Sequence, residues 1–590
     1  MGHHMTPRSH LQWMLRGLLS LLVITGCATA QSISSTDPWT GGSASGATGM
    51  QPMSAPPPDT GHSADQGKLL EFKSQTTLIQ VPVVVTDKSG NHIHGLTKAD
   101  FTILENGKSQ KISTLEEIVP AAATNTTISG NPGGVFSNMT SDESKPRSLT
   151  VVLLDEVNTP FLDQSYGRQQ LIKYLANHLD SSQPTGLMAL TNKGVAVLSP
   201  LDSDPATLIT ILKKASGKVS EMETFDNDAK AVAAGQAQFS GLGGIRPGDS
   251  PENRIRSFML AENATTATNI QSRAIETTLR GLLSIALSLT GIPGRKSLVW
   301  VTGSFPFDLD SFGALPADAN LQALYERTLN ALNDAQISMY PVDARGLLAD
   351  PMFAGDSMPS MLGPGTSDAL RQSTLTSLKN IAAMTGGVAY YNTNDLAGAF
   401  GRAAKDSSSY YALTYYQDHH NSKPGWRKLQ VSVSHKDVDV RARAGYLVTE
   451  VAVNPERTHK ADVEFALISP FESTGIPVTS QWQGLLADGT KRKVGFVLHV
   501  PAANVVDEAD RNRVDVEFVA QATNNGVPAG TVSQTVKGLI VPDTLAKLKA
   551  DGIIYNNFLS LSPGDYQVRF VVRDNLNGKI GSVIVPLTVN

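Results

Sequence analysis

The chain has 590 residues, too many for one hydrophobic core, because single cores stop growing beyond about 250–300 residues. Its 41% hydrophobic and 17% charged content is that of a folded globular protein. The 49 basic and 54 acidic residues, net charge -5, are mixed along the sequence, so no basic stripe exists to neutralise phosphates, which argues against nucleic acid as a partner.

Residues 1–30 read as an export signal: Arg8 and Arg16 flank a start that runs into GLLSLLVITGCATAQS, an apolar core too short to span a bilayer. Two cleavage readings compete. ATA before Gln31 is a small-residue signal-peptidase site, and ITGC ending at Cys27 resembles a bacterial lipoprotein box. Lipidation of Cys27 would hold the protein on a membrane at about 0.8 kcal/mol per buried CH₂. Cys27 is the only cysteine, so neither disulfides nor thiol chemistry are expected of the mature chain. The expected location is the periplasm, the outer membrane through that anchor, or the extracellular space. No later apolar run has the length of a transmembrane helix.

Residues 31–67, rich in Ser, Gly and Pro, read as a disordered tether. In 68–120, runs rich in Val, Ile and Thr are separated by the turn signals DKSGN and ENGK, predicting a small all-β module. Residues 121–147 are polar and read as a linker. From 148 to 450 strands alternate with helices. LTVVLLD is a strand buried on both faces, and SYGRQQLIKYLANHL places Leu171, Tyr174, Leu175 and Leu179 on one helical face. GLMALT and VAVLSPL are the next strands, and DPATLITILKKAS is a helix with Asp204 as N-cap and Pro205 at its first position.

After a looser insertion at about 216–253, a long helical pattern runs towards Leu289, and KSLVWVTG follows as a central strand. NLQALYERTLNALNDA is an amphipathic helix, ISMYPVDARG strand then turn, and GPGTSDALRQSTLTSLKNIAAMTGG a loop and helix stopped by Gly386 and Gly387. VAYYN, DLAGAFGRAAKDS and YYALTYY continue the alternation, and WRKLQVSVS and VDVRARAGYLV close the unit with antiparallel strands. The fold class is α/β, a mainly parallel sheet with helices on both faces. Residues 461–590 return to β patterns such as KVGFVLHV and GDYQVRFVVRD, predicting an Ig-like C-terminal β-sandwich.

Open α/β sheets bind ligands beyond the carboxyl ends of their strands, which places a candidate site at LLDEVNTP. The order of VVLLDEVNTPF, PGRKSLVWVTGSFP, MYPVDARG, TGGVAYYNTNDL and YYALTYYQ…WRKLQVSV…VRARAGYL resembles the von Willebrand factor type A-related proteins of acidobacteria. The flanks VPVVVTDKSGNHIHGLTKADFTILENGK and LSPGDYQVRFVVRDNLNGKIGSVIVPLTV are similar to those of the same group, so the resemblance covers most of the chain after Leu69. It implies a Rossmann-like von Willebrand A domain flanked by β domains, and a module that binds other macromolecules.

In that fold's metal site the first strand ends in Asp-x-Ser-x-Ser, with a Thr and a second Asp from later loops, oxygen ligands suited to Mg²⁺. This sequence offers Asp155, Val157 and Thr159, and Gly303 stands where the second acid is expected. Thr277 and Thr278 are candidates for the loop Thr. A rebuilt site would draw on Glu156, Asn158, Asp308 or Asp310. The plainer reading is that Asp155 caps a turn and Thr159 bonds the backbone before Pro160. The metal site is therefore expected to be degenerate, with Asp155 and Thr159 its remaining ligands, no cofactor required, and Mg²⁺ or another divalent cation the ion it would accept. Asp155, Thr159, Ser304 and Asp308 are the expected ligand-binding rim.

Asp343 and Arg345 read as an internal pair that orients its loop, and the DLDSFG stretch from Asp308 as a surface loop. The twelve histidines do not group in sequence: His92 and His94 flank a turn, and His419 and His420 lie in a polar one. HExxH, GxSxG, Walker and GxGxxG signatures are absent, so no catalytic residue is expected. The expected function is non-catalytic binding of, or adhesion to, a protein or other macromolecule in the cell envelope. The alternative is a structural or assembly subunit whose β domains make the contacts.

Overall fold

The computed structural model of the chain describes residues 76–119, 134–139, 149–178, 185–202, 204–221, 223–224, 251–305, 319–347, 364–418, 425–448, 455–506 and 512–590. Its centre is a five-stranded sheet in which Leu149–Asp155, Lys296–Thr302 and Ile337–Asp343 are buried at every residue. The apolar stretches VVLL, LVWV and MYPV at the centres of these strands fit this burial, because parallel strands are covered by helices on both faces. Thr185–Thr191 pairs in parallel with Leu149–Asp155, and Gly194–Asp202 forms an antiparallel edge. Numbered by appearance in the chain, the strands lie in the order 5-4-1-2-3, so direction across the sheet reverses between Leu149–Asp155 and Lys296–Thr302. In a doubly wound sheet that reversal opens the ligand crevice.

Helices Phe161–His178, Pro205–Lys214 and Leu396–Ser408 cover one face, burying Leu171, Tyr174, Leu212 and Phe400 against Val152 and Val299. Pro251–Leu289, Ala319–Asp334 and Pro364–Thr385 cover the other, around Val151, Leu153 and Trp300. The Asp204 side chain caps its helix by accepting from the backbone N–H groups of Ala206 and Thr207, as the sequence predicts. Gly386 ends the 364–385 helix at φ +79°, and a Cβ on Gly387 would stand 1.9 Å from the Met339 carbonyl oxygen.

The β-rich flanks differ from expectation in their pairing. Thr76–Asp87 pairs with Tyr410–Asp418 and Val438–Arg441, and Phe101–Glu105 pairs with Gly425–Val433. The strands before the α/β unit thus share two four-stranded sheets with the strands after it, around a core of Val81, Val83, Ile103, Tyr411 and Leu413. YYALTYY, expected to extend the α/β alternation, belongs to this sandwich because Tyr411, Leu413 and Tyr415 point into its core. VAYYN contributes one bridge, Tyr390 to Val342. Val135–Ser137, inside the expected linker, is an edge strand of the C-terminal domain.

That domain has two antiparallel four-stranded sheets around Phe496, Phe518 and Phe570, together with helices Pro455–Ile468 and Pro542–Asp551 that a pure β reading missed. Among the described residues no helix is long and apolar enough to cross a membrane.

Lys296 opens its strand fully buried, its ammonium donating to the Gly294 and Ala335 carbonyl oxygens at 2.9 and 2.7 Å. Burial pushes its pKa from 10.5 down to about 7. Between those values the unfolded chain holds a proton that the folded chain lacks, so stability rises with pH through that window and is independent of this group below it. Urea unfolding between about pH 6 and pH 9 is expected to gain roughly 1 kcal/mol per pH unit at the steepest point, a slope absent in Lys296→Met.

Candidate functional site

Alternation along Leu149–Asp155 puts Val151, Leu153 and Asp155 on the face covered by the 251–289 helix, where Trp300 and Thr302 of the neighbouring strand also lie. Asp155 is therefore carried to the crevice at the strand reversal, and it is buried there. Its Oδ1 accepts from the backbone N–H groups of Val157 and Asn158 at 3.0 and 2.9 Å. Its Oδ2 accepts from Asn158 Nδ2 at 2.8 Å, Trp300 Nε1 at 3.0 Å and Thr302 Oγ1 at 2.8 Å. Burial pushes the carboxyl above the usual carboxylate range, and the hydrogen bonds from Asn158, Thr302 and Trp300 act against that push.

The Asn158 amide also donates to Thr278 Oγ1 at 2.8 Å, so one nitrogen bridges an acid and a hydroxyl from two separate elements. The carboxylate is an acceptor, which fixes the orientation of this amide. Thr278 is in turn held to the Ala274 carbonyl of its own helix. Thr159 is buried, and its Oγ1 accepts from the Gly303 N–H at 2.9 Å. A Cβ at Gly303 would lie 3.0 Å from Pro160 Cδ and 3.3 Å from Thr159 Cα, so the loop packs against the place where a second acid would project. Gln164 holds the loop from below, donating to the Thr159 and Lys218 carbonyl oxygens at 2.7 Å each.

Asp155 thus caps a turn as predicted, while Thr159 bonds across to Gly303 rather than to its own loop. Thr278 joins the site, and Ser304 contributes its carbonyl oxygen, 3.2 Å from Thr302 Oγ1. Asp308, Asp310, Cys27, His419 and His420 lie outside the described residues. The roles of Trp300 and Thr302 as donors to Asp155 escaped the sequence reading. Their signal was a buried indole, which needs an acceptor, at two-residue spacing from a hydroxyl on the strand beside Asp155. Asp343 forms a two-pronged pair with Arg345, at 2.9 and 2.8 Å.

Beside Asp155 is a cavity of about 10 Å³, lined by Glu156, Gln164, Arg168 and Val301, room for a single water. Glu156 Oε2 is buried there without a hydrogen-bond partner. Burial pushes its carboxyl up, against the pull of Lys218 and Arg168.

No family model and no curated protein matches the chain. Among solved structures it is similar to an aerotolerance-related membrane protein from Bacteroides fragilis, at 11% identity and TM-score 0.21, over 44% of this chain and 98% of that one. It is also similar to the TFIIH p34 N-terminal domain, at 12% identity and TM-score 0.21, over 44% and 97%. The SpRpn10 VWA domain is matched at 10% identity and TM-score 0.15, over 33% and 88%.

Proposed function

We propose that this chain is an exported, non-catalytic von Willebrand A-type protein of the cell envelope, of the acidobacterial group its sequence resembles. It binds a protein or other macromolecule through the loops at the C-terminal ends of its α/β sheet. Binding is metal-independent, because the Asn158 amide stands between Asp155 and Thr278 where a bridging cation would lie.

The observation that carries the reading is the apolar rim around this end of the sheet. Leu162 is 77% exposed, Leu347 60%, Val219 53% and Phe161 37%. Their loops are tied together: the Phe161 N–H donates to Glu223, Tyr166 to the Asn394 carbonyl, and the Leu347 N–H to the Asn394 side chain. Exposed apolar side chains at the carboxyl ends of the strands of an open α/β sheet, where such folds bind ligands, support a contact surface there.

The assembly-subunit alternative is favoured by a second apolar set, Leu485, Leu486, Ile554 and Phe558, exposed on one sheet of the C-terminal domain. Photo-crosslinking residues placed at Leu162 and, separately, at Ile554 of the full chain in its native envelope distinguish the two. A macromolecular adduct formed from Leu162 alone supports the rim, and an adduct formed from Ile554 alone replaces it with the β-domain reading.

A further inference from the structure

We propose that His92, His94 and Glu117 form a Zn²⁺ site with three protein ligands and a fourth position open to solvent. One donor atom from each residue lies within 4.8 Å of the others. His92 Nε2 is 3.6 Å and His94 Nδ1 2.6 Å from Glu117 Oε1.

The local backbone builds this convergence. Asp87 accepts from the Ser89 and Asn91 N–H groups and closes a turn, after which His92 and His94, two residues apart in extended chain, lie on one side. Their ring centroids are 4.7 Å apart. Tyr411 is opposite Glu117 in the sheet register, and the Tyr411 ring stacks on His92 at 5.3 Å while its hydroxyl donates to the Ile93 carbonyl. Gly95, at φ +78°, turns its N–H to Glu117 Oε2 at 3.0 Å, which aims the other carboxylate oxygen at the histidines.

Two features separate this cluster from an ordinary surface ion pair. The His92 side chain is 9% exposed, and neither of its ring nitrogens has a hydrogen-bond partner, a costly state for a buried polar group. The donor set, two imidazoles and one carboxylate, is also that of open zinc sites, and imidazole disfavours Mg²⁺ and Ca²⁺. Tetrahedral Zn²⁺ with ligands at about 2.0–2.2 Å needs donors about 3.4 Å apart, close to the His92–Glu117 separation already present. The His94 side chain is 61% exposed, and its Nδ1 already lies against the Glu117 carboxylate. Occupancy would join the turn after Asp87 to strand Ile112–Ile118 and leave a Lewis-acidic position for water or a ligand carboxylate.

The test is calorimetric titration of ZnCl₂ into chelator-stripped full-length chain, beside His92→Phe, His94→Gln and Glu117→Gln. One Zn²⁺ per chain is expected, without competition from Mg²⁺. Each substitution should weaken binding at least about a hundredfold, more than the about 10–100-fold typical of losing a group that only orients a ligand. His92→Phe preserves the stack on Tyr411, and the exposed His94→Gln serves where His92→Phe does not fold. Absence of Zn²⁺ binding by the wild type overturns the proposal. So does unchanged affinity in the variants, which would move the ion elsewhere, for example to His3, His4 and His10.

Discussion

Asp155→Ala is expected to destabilise the α/β domain by about 3–5 kcal/mol, a loss on the order of 10 °C in melting temperature, while Mg²⁺ leaves the chelator-stripped wild type unmoved. The substitution removes the acceptor from five donors at once. Two have somewhere else to turn: Thr302 Oγ1 to the Ser304 carbonyl, and the Asn158 amide to Thr278. The Trp300 indole N–H does not, because it is sealed within the core, and an unsatisfied buried donor costs about 1–3 kcal/mol. The Val157 and Asn158 N–H groups add the loss of the turn itself. Asp155→Asn, which keeps one oxygen but presents an N–H₂ group to donors, is expected to fall between the two. Thermal unfolding of the three proteins with and without Mg²⁺ measures this. A melting temperature raised by Mg²⁺ in the wild type and not in Asp155→Ala would mean that the carboxylate serves a cation, against the proposed metal-independence.

The place of Asp155 at the crevice was legible because an apolar strand ending in an acid is a local pattern, and strand-end position is a rule of open α/β sheets. What surrounds the acid was harder to read. Asn158 can be recognised as a source of oxygen, but its amide is turned to donate by the Asp155 carboxylate, and the hydroxyl that shares it, Thr278, stands 120 residues later in the chain. Gly303 reads as a lost ligand, whereas the structure shows it as the surface on which Thr159 and Pro160 pack. The histidines follow the same logic in reverse. His92 and His94 are neighbours in sequence, but Glu117 joins them only through pairing of its strand with Tyr410–Asp418, from the far side of the α/β domain.

That pairing also accounts for the fold-level differences. Helix and strand periods are local, so the elements of the doubly wound sheet were legible one by one, down to the Asp204 cap. Sheet partnership is not local: the runs at 76–118 and 410–448 carry the same half-buried alternation as any antiparallel strands, and only their shared core joins them. A fragment limited to 148–448 would therefore expose the sandwich core, and experiments on the rim need strand Thr76–Asp87 present.

Asp462→Ala is the second large effect expected, about 3–5 kcal/mol, with the C-terminal sandwich uncoupled from the α/β domain. Asp462, on helix Pro455–Ile468, accepts from Arg573 Nε and Nη2 at 3.0 and 2.7 Å and pairs with Arg327 Nη2 at 2.6 Å. The three groups come from three elements: that helix, a strand of the sandwich, and helix Ala319–Asp334. Burial pushes the Arg327 guanidinium below its ordinary value and Asp462 pulls it back. Without the acid, the buried Arg573 and the half-buried Arg327 face each other with Asn575 an acceptor at Arg573, a far worse state than a triad replaced whole by apolar residues. Phe465, one turn further along the same helix, is buried in the α/β core with Arg327 over its ring at 5.5 Å, so the helix couples the two domains through both charge and packing. Calorimetry is expected to give one unfolding transition for the wild type and two for Asp462→Ala. Salt should not imitate the substitution, since buried pairs are weakly screened. A variant within about 0.5 kcal/mol of the wild type would mean that solvent already screens the triad, and that packing of Phe465 and Phe471 and the Thr474 contacts to Leu287 and Ser288 carry the coupling.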